Sequence, residues 1–246
     1  MRVDTFVFVH DQDIVLDFDR IGKFNSIENL RYVFLGARPV DRISGRPDVI
    51  VARDFEDNIE NLASFVAFTG WHLIWKNNLS DADYINLFEY DVDLKKGFSE
   101  EQRMKLDGVD VMGYVPLSVH DYWYIGDEAC TGSLLRSFNS RYGIDYRQMV
   151  NSMGDEIVGL TSNQTFSKAH FDRFMSWFEE MIPDLQDDPM CGHMPERAVS
   201  IYCRTNGASN VSIEPDLLAH YRLDSHGTGQ RDREEVAGYY KKMIGE

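Results

Sequence analysis

The stretch Thr5-Phe6-Val7-Phe8-Val9-His10-Asp11 decides the fold class, because β-branched and aromatic residues run directly into two polar ones. A short apolar run of this kind is typical of a strand that is buried on both faces. The pattern recurs over residues 31–35, which precede Gly36, over 48–52 and over 83–89. These segments predict parallel strands in the first part of the chain.

Helical patterns lie between and after these strands, and the clearest covers residues 58–77, where apolar residues recur at helical spacing. Alternating strands and helices predict an α/β fold with a mostly parallel central sheet flanked by helices. No internal repeat or Pro/Gly/Ser-rich linker interrupts the chain, so a single domain over 1–246 is the simpler interpretation. Farther along, we expect helices over 99–106, 132–142, 167–181, 196–203 and 231–246, strands over 109–115 and 157–160, and a polar loop over 161–164.

The charge balance excludes one class of function. The chain carries 41 acidic and 25 basic residues, a net charge of −16. Sequence-independent binding to nucleic acid needs clustered Lys and Arg, so we expect no nucleic-acid partner. Three cysteines without a CxxC pair indicate a reducing compartment, and we expect a cytoplasmic protein without a signal peptide. No apolar run is long enough for a transmembrane segment.

Two carboxylates follow the predicted strand 83–89, in the triplet Asp91-Val92-Asp93. Side chains at i and i+2 can converge on one cation where the chain turns beyond the end of a strand. Their hard oxygen ligands suit Mg²⁺ or Mn²⁺, which bind carboxylates together with phosphate oxygens. Ligands of α/β sheets also bind beyond the carboxyl ends of the strands. The triplet alone is a weak signal in so acidic a chain.

The context of this triplet resembles the nucleotide-sugar half of bacterial surface-polysaccharide glycosyltransferases of the GT-A type. A later segment, Gly192-His193-Met194-Pro195-Glu196-Arg197, resembles the His-x-x-Glu-Arg helix start of related transferases. The segments that carry the first resemblance are Leu35-Gly36, Asn58-Ile59, Thr69-Gly70-Trp71, Lys76-Asn77, Asp83-Tyr84-Ile85 and Asp91-Val92-Asp93.

The resemblance implies a GT-A-like domain that transfers a sugar from a nucleotide-sugar donor to a glycan or lipid-linked acceptor. Residues 1–94 would form the donor half, 95–230 the acceptor and catalytic half, and 231–246 a C-terminal helix. It further implies Mn²⁺ or Mg²⁺ held by Asp91 and Asp93 and completed by His226, with His220 as the rival ligand. The protein would work in the cytoplasm or peripherally at the inner face of the membrane.

The resemblance also suggests Glu196 as the base of an inverting transfer, with Arg197 beside it to hold phosphate or the carboxylate. Glu196 follows Pro195 at a predicted helix start, where the helix dipole favours an anion. Pro195 makes a shared helix face for His193 and Glu196 less expected, so His193 is interpreted as a loop residue at the site. The mechanism requires Glu196 and His226 to share a pocket with Asp93.

The donor contacts are expected after the first strands. His10 and Asp11 follow the first strand, and Arg38 follows the second. Asn58, or its neighbour Asp57, is a candidate for the nucleobase, Lys76 for the phosphates and Asp91 for the donor as well as the metal. For the acceptor, Tyr122 and Trp123 would form an aromatic wall near His193. Each residue alone also has an ordinary structural or solvent-facing interpretation.

Two rival functions remain open at this point. A metal-dependent hydrolase would place Asp91, Asp93, His193 and His226 around its metal, although the sequence has no HExxH motif. A non-catalytic glycan-binding relative would keep the fold without the chemistry. The sequence also has no GxxxxGK[ST] loop and no GxGxxG after the first strand, which disfavours P-loop and dinucleotide-binding enzymes.

Overall fold

The computed structural model describes residues 1–114, 117–118, 127–153, 157–158, 162–188, 191–206 and 210–220. Tyr122, Trp123, His226 and the helix predicted over 231–246 lie outside the described residues. The strands are β1 (Val3–Val9), β2 (Leu30–Phe34), β3 (Val49–Val51), β4 (Tyr84–Glu89), β5 (Val92–Leu94), β6 (Val111–Gly113), β7 (Leu117–Ser118), β8 (Ile157–Val158), β9 (Gln164–Ser167), β10 (Val211–Ile213) and β11 (Leu218–His220). The α-helices are α1 (Gln12–Ile21), α2 (Ala67–Lys76), α3 (Phe98–Lys105), α4 (Asp127–Tyr142), α5 (Tyr146–Met153), α6 (Lys168–Glu179), α7 (Ile182–Leu185) and α8 (Met194–Thr205).

Seven of the described strands form one sheet in the order β10-β6-β9-β4-β1-β2-β3. β1 lies between β4 and β2, and both of these contacts are parallel, as are β2–β3 and β6–β10. β9 is inserted antiparallel between β4 and β6. The predicted α/β class with a mostly parallel sheet flanked by helices is therefore confirmed, and strands from both predicted halves of the chain share the sheet.

The alternation of side chains along β1 explains the helical layers on the two faces of the sheet. Phe6 and Phe8 point into one apolar cluster, which is completed by α2, α4, α6 and α8. Val7 and Val9 point into the other cluster, together with Val15 and Phe18 of α1 and with Phe98 of α3. A strand covered on both faces in this way needs a continuous apolar run, which is the pattern of residues 5–9.

The predicted start of the helix over 58–77 is wrong. The structure starts α2 at Ala67, after a single 3₁₀ turn at Ala63–Phe65. Val66 lies between them with φ of 49°, a conformation that a β-branched residue rarely adopts and that ends any continuous helix. Farther along, Gly70 lets α2 approach β1 closely, because a Cβ there would lie 2.4 Å from Cε1 of Phe8.

The other predicted boundaries shift by small amounts or miss an element. The helices predicted over 99–106, 167–181 and 196–203 correspond to α3, α6 and α8, whereas the helix predicted over 132–142 begins earlier, at Asp127. β9 was not predicted as a strand, because its sequence Gln-Thr-Phe-Ser lacks a clear strand pattern, and it begins at the end of the predicted polar loop. None of the helices in the described part of the chain is long and apolar enough to cross a membrane.

A buried polar network fixes β9 beside β4. Gln102 of α3 donates from Nε2 to the Oδ1 atom of Asn86 at 2.8 Å and to the hydroxyl of Tyr114 at 2.6 Å. Thr165 of β9 donates to the same Asn86 oxygen at 2.6 Å. These side chains are all buried, so a shift of register would leave polar groups without partners at a cost of about 1–3 kcal/mol each.

Candidate functional site

A cavity of about 230 Å³ lies at the carboxyl ends of β1, β2 and β4. The parallel register pairs Val9 with Phe34 and Phe8 with Glu89, so that the three strands end at one level. This edge is where ligands of parallel α/β sheets bind. The lining is mainly apolar and consists of Phe8, Val9, His10, Leu35, Gly36, Glu60, Val66, Ala67, Thr69, Glu89 and Tyr90.

The loop after β2 forms one wall of this cavity and is held from two sides. Gly36 has φ of +89°, which glycine adopts without steric cost, and its N–H donates to Oε1 of Glu60 at 2.6 Å. The guanidinium of Arg53 donates to the carbonyl oxygens of Gly36 at 3.1 Å and of Arg38 at 3.0 Å. The side chains of Glu60 and Arg53 therefore hold the loop through its backbone N–H and carbonyl groups, while the side chain of Arg38 stays exposed.

The predicted donor residues His10, Asp11 and Arg38 lie together at this edge. Asp11 caps α1 by accepting a hydrogen bond from the Asp13 N–H, and it forms an ion pair with Arg38 at 3.0 Å. The His10 ring contacts Tyr90 edge-on, with the ring centroids 5.1 Å apart. Partial burial lowers the pKa of His10, the charge of Arg38 acts in the same direction, and Asp11 and Asp91 oppose them. Asp91 is thus within electrostatic reach of the cavity.

The acid pair lies where β4 turns into β5. Val92 is fully buried, and Asp91 and Asp93 on either side of it are half-buried. β5 pairs antiparallel with β11, which sets Asp93 opposite Ala219 and Val92 opposite His220. The backbone of His220, the rival to His226 as metal ligand, therefore lies directly across from the centre of the triplet.

Lys23 also belongs to this region, although no sequence pattern predicted it as a site residue. It follows the left-handed Gly22 at the end of α1, and its side chain is only 5% exposed. The ammonium donates to the carbonyl oxygen of Tyr90 at 2.9 Å, lies 3.8 Å from Oδ1 of Asp93, and is 4.5 Å from the ring centroid of Phe18. Burial lowers the pKa of Lys23 to about 8, against the opposing charges of Asp93 and Asp91.

The acid pair has the chemistry that a divalent cation requires. Both carboxylates act on a single cationic group, the Lys23 ammonium, so their fields converge on one region. Carboxylate oxygens are the ligands that Mg²⁺ and Mn²⁺ prefer. Within the described ranges, no group of three or more His, Cys, Asp or Glu side chains is assembled as a metal site. Asp91 and Asp93 would accordingly supply two ligands of a larger set.

Glu196 lies in the first turn of α8, as predicted from Pro195, and its carboxylate is held by two neighbours. Oε1 of Glu196 is 3.1 Å from Nη1 of Arg197 and 3.5 Å from Nδ1 of His193. The same Arg197 nitrogen donates to the His193 carbonyl oxygen at 2.7 Å. His193 lies just outside the α-helix, at its N-cap after a 3₁₀ turn at Cys191–His193, and its ring is nevertheless 3.5 Å from the Glu196 carboxylate.

Val66 connects the Glu196 segment to the cavity. A Cβ on Gly192 would lie 2.6 Å from the carbonyl oxygen of Ser64 and 3.0 Å from Cγ2 of Val66, so the chain before α8 packs tightly on residues 64–66. Val66 is itself part of the cavity lining. Backbone strain of the kind seen at Val66 concentrates at ligand sites, where the surrounding structure must hold it.

Two predicted donor residues, Asn58 and Lys76, are not among the residues that line the cavity, and each has structural contacts. Asn58 forms a local turn, in which its Oδ1 accepts from the Glu60 N–H at 3.0 Å and its Nδ2 donates to the Phe55 carbonyl oxygen. Lys76, at the end of α2, forms an ion pair with Glu179 at 2.6 Å and lies over the ring of Trp75. Their roles in donor binding stay predictions.

Comparison with known proteins identifies the type of fold. No protein-family model matches the sequence, and no curated protein does. Among solved structures, the chain is similar to the bifunctional glycosyltransferase WbbM, with a TM-score of 0.62 and 15% identity. The match covers 95% of this chain and 48% of the WbbM chain, so the chain spans about half the length of WbbM. The fold is GT-A-like.

Two further structures resemble the chain more distantly. The galactosyltransferase LgtC, solved with donor and acceptor sugar analogs, has a TM-score of 0.48 and 10% identity over 98% of this chain and 95% of its own. Mouse xyloside xylosyltransferase 1 has a TM-score of 0.41 and 10% identity over 86% of this chain and 84% of its own.

Proposed function

We propose that this protein is a glycosyltransferase that moves a sugar from a nucleotide-sugar donor to a glycan or lipid-linked acceptor. One observation carries the proposal: the acid pair Asp91 and Asp93 directly follows Tyr90, which lines a cavity at the carboxyl ends of parallel strands in a GT-A-like sheet. A cavity beside an excess of carboxylates suits a ligand that brings a divalent cation and phosphate oxygens. A role in bacterial surface-polysaccharide synthesis follows the resemblance of the sequence motifs.

In this proposal the donor occupies the cavity. Its apolar lining and the His10–Tyr90 ring pair would contact the nucleotide, and exposed Arg38 would meet a phosphate or ribose group. Asp91 and Asp93 would hold Mn²⁺ or Mg²⁺ with His226 or His220 as a further ligand. Such an ion neutralises the charge that develops on the leaving diphosphate.

We assign the general base to Glu196 in an inverting transfer. A base must be fixed within hydrogen-bond reach of the acceptor hydroxyl, and Glu196 is held by Arg197 and His193 on a segment that packs against the cavity wall. His193 is half-exposed beside it and is available to an acceptor. Tyr122 and Trp123 complete the proposed acceptor side, and the enzyme would act in the cytoplasm or at the inner face of the membrane.

Donor binding is tested by thermal unfolding with a set of nucleotide diphosphates and nucleotide sugars, with and without Mn²⁺. We expect the nucleotides that carry one particular nucleobase to raise the melting temperature when Mn²⁺ is present. Asp93→Asn should abolish the Mn²⁺-dependent increase in melting temperature, whereas Asp107→Asn, at an exposed carboxylate, should retain it. Hydrolysis of simple phosphoesters at the same metal concentration, without nucleotide-sugar protection, would instead favour the hydrolase.

Glu196→Gln tests the base once a donor and an acceptor are known. We expect kcat to fall by about 10²–10⁴-fold, the usual contribution of general base catalysis, while donor affinity stays unchanged. Glu180→Gln, at an exposed glutamate on the far end of α6, is the matched control. An unchanged kcat would remove Glu196 from the mechanism, and donor binding without any transfer would favour a non-catalytic relative.

A further inference from the structure

The buried ammonium of Lys23 is an unusual feature for a cation-binding edge. Its side chain is 5% exposed, and a charge in such a position is costly unless opposite charges and hydrogen bonds compensate it. The compensation comes from the residues of the candidate metal site, through the Tyr90 carbonyl oxygen at 2.9 Å and the charges of Asp93 and Asp91. The protein thus carries its own cation where a divalent cation is expected.

Lys23 is attached to the rigid part of the fold. Gly22 ends α1 with φ of 65°, and the next backbone N–H, that of Lys23, donates to the Phe18 carbonyl oxygen at 3.1 Å. The ammonium then lies over the rings of Phe18 and Phe24, whose centroids are 4.5 Å and 5.2 Å away. The backbone of Lys23 is therefore held by the end of α1, and its ammonium bridges from there to the segment that carries the acids.

We propose that Lys23 is an internal counter-cation of the acid pair, which stabilises the metal-free site and weakens its affinity for a divalent cation alone. The inference rests on the proposed function, because it assumes that Asp91 and Asp93 bind the cation of a nucleotide-sugar donor. The ammonium lies 3.8 Å from the Asp93 carboxylate, where it reduces the local negative potential that attracts a divalent cation. A diphosphate brings its own negative charge to the cation, so the cation and the nucleotide bind best together.

The test measures Mn²⁺ binding without nucleotide, from the electron paramagnetic resonance signal of free Mn²⁺, in the full chain. Lys23→Met removes the charge and keeps the length of the apolar stem. Lys95→Met is the matched control, because it removes one charge two residues beyond Asp93 from a side chain that is 48% exposed. We expect Lys23→Met to bind Mn²⁺ at least about tenfold more tightly than the wild type, and Lys95→Met to stay within about twofold.

Thermal unfolding gives a second readout that does not depend on activity. Without Mn²⁺, Lys23→Met should melt below both the wild type and Lys95→Met, since two carboxylates lose their counter-charge. Mn²⁺ should raise its melting temperature by more than it raises that of the wild type. Lys23→Gln, which keeps a donor for the Tyr90 carbonyl oxygen, serves if Lys23→Met does not fold.

Weaker Mn²⁺ affinity in both Lys23 variants would overturn the proposal, because it would mean that Lys23 assists the cation, and equal affinity would overturn it by showing that Lys23 does not oppose the cation. Absence of Mn²⁺ binding in the wild type, with and without a nucleotide diphosphate, would overturn it as well. In that case, metal-independent protection by a nucleotide sugar would leave the proposed glycosyl transfer standing. The two failures are therefore distinguishable.

Discussion

The two ends of β1 both contain buried charge, but in opposite proportions. At the amino end, Asp4 is 3% exposed and is surrounded by donors: Arg31 at 3.0 Å, Arg2 at 3.3 Å and the Ser80 hydroxyl at 2.8 Å. At the carboxyl end, one ammonium, that of Lys23, faces two carboxylates. One carboxylate surrounded by donors is a structural cluster, whereas in the proposed function the two carboxylates beside the cavity also hold the cation of the donor. The proposal therefore gives the charges at the two ends of β1 different uses.

The largest expected effect breaks the amino-end cluster. Asp4→Asn leaves the partly exposed guanidinium groups of Arg2 and Arg31 around a neutral amide, and the loss of charged hydrogen bonds of this kind costs about 1.5–3 kcal/mol. We expect a loss of that size in the free energy of unfolding, measured by urea denaturation. Donor binding should persist wherever the variant is folded.

Asp81→Asn is the control for this prediction. Asp81 also pairs with Arg2, but its side chain is 83% exposed. Its removal should leave the free energy of unfolding without a resolvable change, because surface ion pairs contribute little. A stability loss in Asp81→Asn as large as in Asp4→Asn would show that burial does not distinguish the two carboxylates.

An intermediate effect concerns backbone conformation at the carboxyl end. Gly36 has φ of +89° in the cavity wall, and Gly36→Ala forces an L side chain into the left-handed region at a cost of about 1–2 kcal/mol. No neighbouring atom lies within 4 Å of the added methyl group, so a clash does not contribute. Urea denaturation should show this loss, and a neutral result would mean that the loop relaxes.

The smallest expected effect on stability belongs to Asp93. Its carboxylate is 3.8 Å from the Lys23 ammonium, and Asp91 still faces that charge after Asp93→Asn. Because the ammonium keeps its hydrogen bond to the Tyr90 carbonyl oxygen, we expect the free energy of unfolding to fall by only about 1 kcal/mol, while Mn²⁺-dependent donor binding is lost. A fall as large as that of Asp4→Asn would make the acid pair a structural cluster, and the contrast between the two ends would disappear.

Local patterns in the sequence predicted much of this arrangement. The apolar run before His10 predicted the central strand, and the triplet Asp91-Val92-Asp93 was located at the end of a strand. Pro195 correctly marked the helix start that carries Glu196. Each of these features depends on a few consecutive residues, and for that reason sequence patterns were sufficient.

Other features depend on contacts between distant residues and left no local signal. Lys23 is a residue type that is mostly exposed, and only the packing of Phe18, Phe24 and Tyr90 buries it. The positive φ of Val66 shortened a helix that its apolar periodicity predicted to be continuous. β9 has a polar sequence because Thr165 joins the buried network around Asn86 and Gln102.

The pairing of β5 with β11 also has a consequence in time. The acids at 91 and 93 leave the ribosome early, whereas the strand that covers their outer edge, Leu218–His220, is synthesised much later. Closing so long a loop carries an entropic cost and makes the contact a slow one to form. A nascent chain can therefore build the sheet around β1 well before β5 and β11 pair, and the edge that carries Asp91 and Asp93 is completed only after residues 218–220 have been synthesised.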